Sequence, residues 1–435
     1  MSACLPRGAW TGCLVHVRRQ SAPSGKTFKY SSLQHAVGMP ENGSFYPRHK
    51  LVMLPGPTNV PERVLLAMAR PMINHRGSEF HQLYDGIIRK SREVFKTKDG
   101  EIAVVSASGT GGVEAAALNV VKPGDKVVVP VFGEFGERIV EHVKRAGGDV
   151  VEVRSPYGTA PEPAEVERAV KSAGKVKALF VVYNDTSPGV TYRWLKDVSR
   201  IAKDAGAFVV VDAISVFGGD ELPQDDWKLD LVIAGAQKCL SLPPGITLLS
   251  VSKELKDYIS RNPPSSTVYF DLSKYFEFNK KLEIPFTPAI PIFYALDESL
   301  NMVLEDGLDR RIERHRVAAM AYYKALEAAG LKPFVEPRVR SNVVITVEYP
   351  PGVQDAAFRD LLDKEFGVVV AGGFGSLKGK IFRIGNMGDI SPINVTQTLM
   401  GIAGAFSELG VKVDASAMLA AAHDELKSLL SGQSL

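Results

Sequence analysis

The stretch FVVVDAISVFGGDELPQDDWKLDLVIAGAQK, residues 208–238, holds two short apolar runs, each ending on an ionisable residue. Phe208 to Asp212 and Leu231 to Ala234 are short and rich in Val and Ile, the signature of strands buried on both faces. Working outward, Ile102 to Ser106, Lys126 to Pro130, Leu179 to Tyr183 and Ile246 to Val251 have the same character. Helix-length segments separate most of them: Gly112 to Val121, Gly136 to Ala146, Pro163 to Ser172 and Leu195 to Ala205. Strand followed by helix, repeated, predicts an α/β fold with a mainly parallel sheet flanked by helices. After Pro291 the pattern changes to helices over 291–304 and 309–329. A mixed tail follows, with strands at 342–348, 367–371 and 380–384 and helices at 354–365 and 393–409, the pattern of a smaller α+β domain. The expected organisation is an extension over 1–48, a large domain over 49–305 with an N-terminal arm at 49–65, and a small C-terminal domain over 306–435.

Composition narrows the function classes. A net charge of +3 over 435 residues, with both signs interleaved, gives no electrostatic grip on nucleic acid. Cys4, Cys13 and Cys239 are too scattered for a disulfide framework or a metal site, which fits a reducing compartment such as the cytoplasm. No metal cluster is expected among the eight histidines, and no apolar stretch is long enough to span a membrane. Residues 1–48 carry five basic residues before the first acidic one, Glu41. That composition suits a disordered extension or, alternatively, a mitochondrial transit peptide. Gly25-Lys26-Thr27 is half a P-loop without its first glycine, and the C-terminal Gln-Ser-Leu lacks the basic middle residue of a peroxisomal address.

Ligand sites in open parallel sheets lie beyond the carboxyl ends of the strands. After the first strand comes Ser106-Ala-Ser108-Gly109-Thr110-Gly111-Gly112, opening a helix. Glycines there let backbone N–H groups approach an anion such as phosphate at the helix N-terminus. A tight turn without ligand fits the same glycines, whereas a dinucleotide fingerprint fails because Glu114 stands where its last glycine belongs. Asp212 ends a core strand, where a carboxylate needs a cationic or hydrogen-bonding partner. A protonated pyridine nitrogen would serve, and so would a capped loop at Ile214-Ser215. Lys238 follows a buried strand through Gly235-Ala-Gln237, a setting that desolvates an amine and prepares it to attack an aldehyde, although a solvated lysine reads the same in isolation. Together the three serve the phosphate, ring nitrogen and aldehyde of one aromatic aldehyde phosphate.

With these features the sequence resembles the class V aminotransferases, of pyridoxal-phosphate fold type I, and most closely their alanine–glyoxylate and serine–pyruvate or serine–glyoxylate branch. The likeness runs from about Leu51 to Leu409 through Pro55-Gly-Pro-Thr-Asn59, Asn74-His-Arg-Gly-Ser-Glu-Phe80, Ser108-Gly-Thr, Gly133-Glu-Phe-Gly136, Asn184-Asp-Thr-Ser-Pro-Gly189, Val211-Asp-Ala-Ile-Ser215, Gly235-Ala-Gln-Lys238, Pro243-Pro-Gly245 and Arg383-Ile-Gly385. The resemblance implies pyridoxal 5′-phosphate held as a Schiff base by Lys238, which then serves as the proton-shuttling base. It implies that Asp212 pairs with the pyridinium, Phe135 stacks on the ring, Thr186 bonds the ring oxygen, and Ile214 also lines the cofactor. Ser108, Gly109, Thr110 and Gln237 would hold the phosphate, with Thr287 reaching the phosphate of the neighbouring subunit of a homodimer; the tyrosine expected nearby is replaced by Ile284.

On the substrate side, the resemblance implies that Arg383 clamps the α-carboxylate and that Asn74 and His75 lie near the site entrance, beside Arg76. The implied reaction moves the amino group of serine, alanine or aspartate to glyoxylate or pyruvate by ping-pong kinetics. A lyase such as a cysteine desulfurase is the alternative within the fold; it would need a mobile cysteine and usually histidines at positions 135 and 237. A non-catalytic relative would have lost Lys238, Asp212 or Arg383.

Overall fold

The structure is a computed structural model and describes residues 50–430. The extension 1–48, with Cys4 and Cys13, and the C-terminal tripeptide lie outside the described residues. In chain order the elements are β1 (Leu51–Met53), α1 (Glu62–Met68), α2 (Ser78–Phe95), β2 (Glu101–Val105), α3 (Gly109–Val120), β3 (Lys126–Val131), α4 (Glu134–Arg145), β4 (Asp149–Arg154), α5 (Pro163–Ala173), β5 (Ala178–Val182), the short pair β6 (Asn184–Asp185) and β7 (Val190–Thr191), α6 (Leu195–Asp204), β8 (Phe208–Asp212), β9 (Leu231–Gly235), β10 (Thr247–Val251), α7 (Lys253–Arg261), α8 (Leu272–Asn279), α9 (Ile290–Asp306), α10 (Leu308–Ala328), β11 (Val344–Glu348), α11 (Asp355–Lys364), β12 (Val368–Gly372), β13 (Ile381–Gly385), α12 (Pro392–Glu408) and α13 (Ala415–Leu430).

Seven strands form the large sheet in the order β2-β10-β9-β8-β5-β3-β4. From β9 to β4 every pairing is parallel, while β10 runs antiparallel to both its neighbours, so the sheet is mixed. The central strands β5, β8, β9 and β10 are buried almost throughout, which is why a continuous Val/Ile/Leu run marks them in the sequence. β4 escapes that reading because it is an edge strand, Asp149-Val-Val-Glu-Val-Arg154, with its charged residues facing solvent.

A second sheet, in the order β1-β12-β13-β11, builds the C-terminal part. Its core gathers Tyr322, Ile345, Val347, Phe358, Phe382, Leu399 and Phe406 under α10, α11, α12 and α13. Here the structure departs from the expected division of the chain. β1, from the arm expected to go with residues 49–305, pairs in parallel with β12, and Met53 packs in this second core. A three-residue strand leaves almost no periodicity to say which sheet it joins. Among the described residues no helix is long and apolar enough to cross a membrane.

Candidate active site

The carboxyl ends of β5, β8 and β9 and the start of α3 surround one cavity, lined by Gly109, Thr110, Val113, Phe135, Arg138, His142, Asn184, Thr186, Asp212, Ile214, Ser215, Gln237 and Lys238. Eight of the residues expected from sequence therefore meet there: Gly109, Thr110, Phe135, Thr186, Asp212, Ile214, Gln237 and Lys238. Ser108 stands just outside as the N-cap of α3, and its side chain makes no capping bond to the helix. Gly109 is required by contact, since an added Cβ would lie 2.7 Å from Ile214 Cδ1. Ile214 in turn leaves no room for a side chain at Gly235, so the floor of the cavity is set by one isoleucine between two glycines.

Lys238 Nζ donates to the carbonyl of Pro55 in the N-terminal arm. Gly56, with φ of 88°, folds over the lysine, and a Cβ there would lie 2.4 Å from Lys238 Cδ. Burial pushes the ammonium down to about 8, the Arg383 guanidinium acts in the same direction, and Asp212 opposes them. Burial likewise lifts the Asp212 carboxyl to about 7, against a 3.0 Å hydrogen bond from the Ile214 N–H. The cavity thus holds an amine that gives up its proton more readily than a solvated lysine and an acid whose ionisation burial holds back.

Arg383 sits on β13, where it donates from Nε to the Gly372 carbonyl at 2.8 Å and from a terminal nitrogen to the Thr186 carbonyl at 2.9 Å. Burial lowers its guanidinium to about 10, with Asp185 opposing. The bond to Thr186 fixes Arg383 beside a residue of the cavity wall. Asn74, His75 and Thr287 are not part of this chain's cavity. Asn74 Oδ1 accepts the Arg76 N–H at 3.0 Å, Arg76 pairs with Glu283 at 2.6 Å, and Thr287 is exposed.

Several site residues escaped the sequence reading. Asp185 is fully buried and accepts four bonds: from the N–H groups of Phe135 (2.9 Å) and Gly136 (3.1 Å), and from the Ser187 N–H (3.0 Å) and hydroxyl (2.5 Å). It pins the first turn of α4 and with it the Phe135 ring; Gly133 has no side chain because Asp185 fills that space. Arg138, one turn further, lies 4.8 Å over Phe135 and 5.6 Å over Phe374, a loop residue of the C-terminal part. His142 follows, and burial lowers its imidazole. Asn184 and Ser215 exchange bonds of 2.8 and 2.9 Å that tie the ends of β5 and β8 together. The helical spacing of residues 135, 138 and 142 was the available signal for one face of α4.

The residues fit pyridoxal 5′-phosphate on the structure's own terms. Gln237 Oε1 is buried in the cavity without a hydrogen-bond partner, an open polar site of the kind a ligand completes. A helix N-terminus without side-chain cap faces the same space, and Asp212 lacks only a cation. Fold and site together define a fold type I pyridoxal-phosphate enzyme.

Residues 54–383 match the family described as Aminotransferase class-V, and the chain belongs to that family. It is 38% identical over 381 residues to an uncharacterized aminotransferase of Methanocaldococcus jannaschii, covering 87% of this chain and 98% of that protein. It is also 33% identical to the serine–glyoxylate aminotransferase of Methylorubrum extorquens, over 88% of this chain and 97% of the relative. The crystal structure of ureidoglycine–glyoxylate aminotransferase from Bacillus subtilis superposes with a TM-score of 0.83 at 33% identity, covering 89% of this chain and all of that one. The protein is a pyridoxal-phosphate-dependent aminotransferase acting on amino and 2-oxo acids.

Proposed function

We propose that this enzyme moves the amino group of a small amino acid, serine, alanine or aspartate, to glyoxylate or pyruvate. The observation that carries the reading is that Lys238 and Asp212 line one small cavity while Arg383 is hydrogen-bonded to Thr186 of its wall. Arg383 has hydrogen-bonding capacity left beyond its two carbonyl partners and takes the substrate α-carboxylate in a planar, two-bonded grip. Lys238, with its pKa near the working pH, takes the proton from Cα and returns it one carbon away. Bound pyridoxal phosphate supplies the electron sink for that proton's departure, and Asp212 gains there the cation it lacks. Thr110, Gln237 and the first N–H groups of α3 would hold the phosphate, and Phe135 and Ile214 would pack against the ring. The donor leaves as an oxo acid before the acceptor enters, so the kinetics are ping-pong.

A desulfurase reading finds no support at Cys239, which is fully buried, donates its thiol to the Ser215 carbonyl and is pushed up to about 12 by burial. A homodimer is part of the proposal, favoured by the exposed Val268 and Tyr269 beside Phe286 and Thr287. The cytoplasm is its proposed compartment, on the scattered cysteines alone.

The test is to add L-serine, L-alanine and L-aspartate separately to the purified holoenzyme, without oxo acid. The expected result is loss of the visible absorption band and growth of a near-ultraviolet one, reversed by glyoxylate or pyruvate. A visible band that none of the three donors bleaches would refute the substrate assignment.

A further inference from the structure

We propose that Arg311 and His315, one turn apart on α10, are positioning residues that hold the carboxylate-binding end of β13 in register with the turn that carries Lys238. The inference rests on the reading of Arg383 as the carboxylate grip.

Arg311 is 2% exposed, and its guanidinium donates at 2.8 Å to the carbonyl of Cys239, the residue immediately after Lys238. One turn on, His315 is fully buried and its Nδ1 lies 2.8 Å from the Arg311 carbonyl. A carbonyl can only accept, so Nδ1 carries the proton and Nε2 is left as an acceptor. Nε2 takes its bond from the Gly388 N–H at 3.1 Å. Burial, with Arg311 beside it, keeps the imidazole neutral, as this arrangement requires.

Gly388 is the pivot. It follows β13 by three residues and Arg383 by five. An added Cβ there would lie 2.1 Å from Ser241 Oγ, and the Lys238 carbonyl is 3.5 Å away. The lysine turn, closed by the Ser241 N–H donating to the Lys238 carbonyl at 2.9 Å, therefore rests directly on the segment that leaves β13. Asn386 completes the frame, its side-chain amide donating to the His315 carbonyl at 2.9 Å and the Asn342 carbonyl at 2.8 Å.

On the other side of β13, Gly385 abuts the Leu54 carbonyl so closely that a Cβ would lie 1.9 Å from it. The next residue, Pro55, accepts from Lys238 Nζ. The chain between Arg383 and Gly388 is thus clamped from both sides against pieces that also contact Lys238, and α10 supplies the clamp on the inner side. Neither Arg311 nor His315 lines the substrate cavity, so neither is a catalytic residue.

The test uses the holoenzyme and three substitutions. His315→Leu removes the acceptor. His315→Asn keeps a donor toward the Arg311 carbonyl but is too short for Gly388. His315→Gln restores an acceptor where Nε2 stood. Loss of one buried hydrogen bond predicts about tenfold faster amide exchange at Gly388 in the Leu and Asn variants. It also predicts an amino-acid KM raised about tenfold, with kcat within about threefold of the parent and the Gln variant near the parent. Methylamine, which has no carboxylate for Arg383, should bind all three as it binds the parent.

Unchanged exchange at Gly388 in both the Leu and Asn variants, or equal weakening toward amino acid and methylamine, would overturn the proposal. If the Leu variant does not fold, the Asn variant carries the same comparison. Failure of the aminotransferase substrate reading is separate, since it would show as a parent enzyme that no amino acid alters.

Discussion

Asp212→Asn should make the cofactor-free protein more stable above neutral pH while destroying its activity, and the size of the gain follows from burial. Burial lifts the Asp212 carboxyl from 3.8 to about 7. That difference of about 3 pH units corresponds to about 4 kcal/mol, at about 1.4 kcal/mol per unit. Below pH ~4 folded and unfolded chains both hold the proton; between the two pKa values the folded chain holds it and the unfolded chain does not. Stability conferred by the protonated acid is therefore lost as pH rises across that window, reaching its full deficit above the folded value. Asparagine has nearly the same shape, still accepts from the Ile214 N–H, and does not ionise. Urea unfolding of the two cofactor-free proteins from pH 4 to 8.5 should show a stability difference growing from near zero to a ceiling of about 4 kcal/mol in favour of the variant. A difference that stays flat with pH, or favours Asp212 at high pH, would refute the claim that this carboxylate is buried without its partner.

Three further outcomes are expected. Lys238→Ala should lose the visible band formed with pyridoxal phosphate and lower the single-turnover rate with amino acid by at least ~10²-fold, since it removes the amine proposed to take and return the Cα proton. Arg383→Lys should raise the amino-acid KM by about 30-fold, because an ammonium cannot hold the carbonyls of Gly372 and Thr186 and also grip a carboxylate in two bonds; steady-state kinetics with two donors would check this. Gly56→Ala should fold yet take up pyridoxal phosphate at least ~10-fold more slowly, because its Cβ would strike the Lys238 side chain and φ is 88° there, and the appearance of the visible band after adding cofactor measures it.

The central strands and the three groups at their ends were legible because burial on both faces leaves uninterrupted Val and Ile runs, and because an ionisable residue at the end of such a run is conspicuous. β4 and β1 were not, one being a charged edge strand and the other too short to carry a pattern. Asp185 was invisible for a different reason. Its role depends on four donors converging from α4 and from its own turn, and no local spacing encodes a partner some 50 residues away. Arg138 and His142 share one face of α4 with Phe135, but it is the closeness of α3 that turns that face into a cavity wall. His315 lies in a run dense with Arg and Glu, where its burial could not be foreseen.

The arm that joined the unexpected sheet also explains why the amine and the carboxylate grip keep their spacing. β1 is hydrogen-bonded to β12, whose Gly372 carbonyl receives Arg383 Nε, while the residues just after β1 supply the carbonyl that receives Lys238 Nζ. Thr58 adds a 3.3 Å bond to the Lys238 carbonyl. A displacement of the small sheet relative to the large one therefore moves both partners of Lys238 in the arm together with Arg383. Placed in the large sheet, the same strand would have left the lysine and the guanidinium related only through the cavity between them. Sited as it is, a three-residue strand ties the two groups that must meet opposite ends of one small substrate.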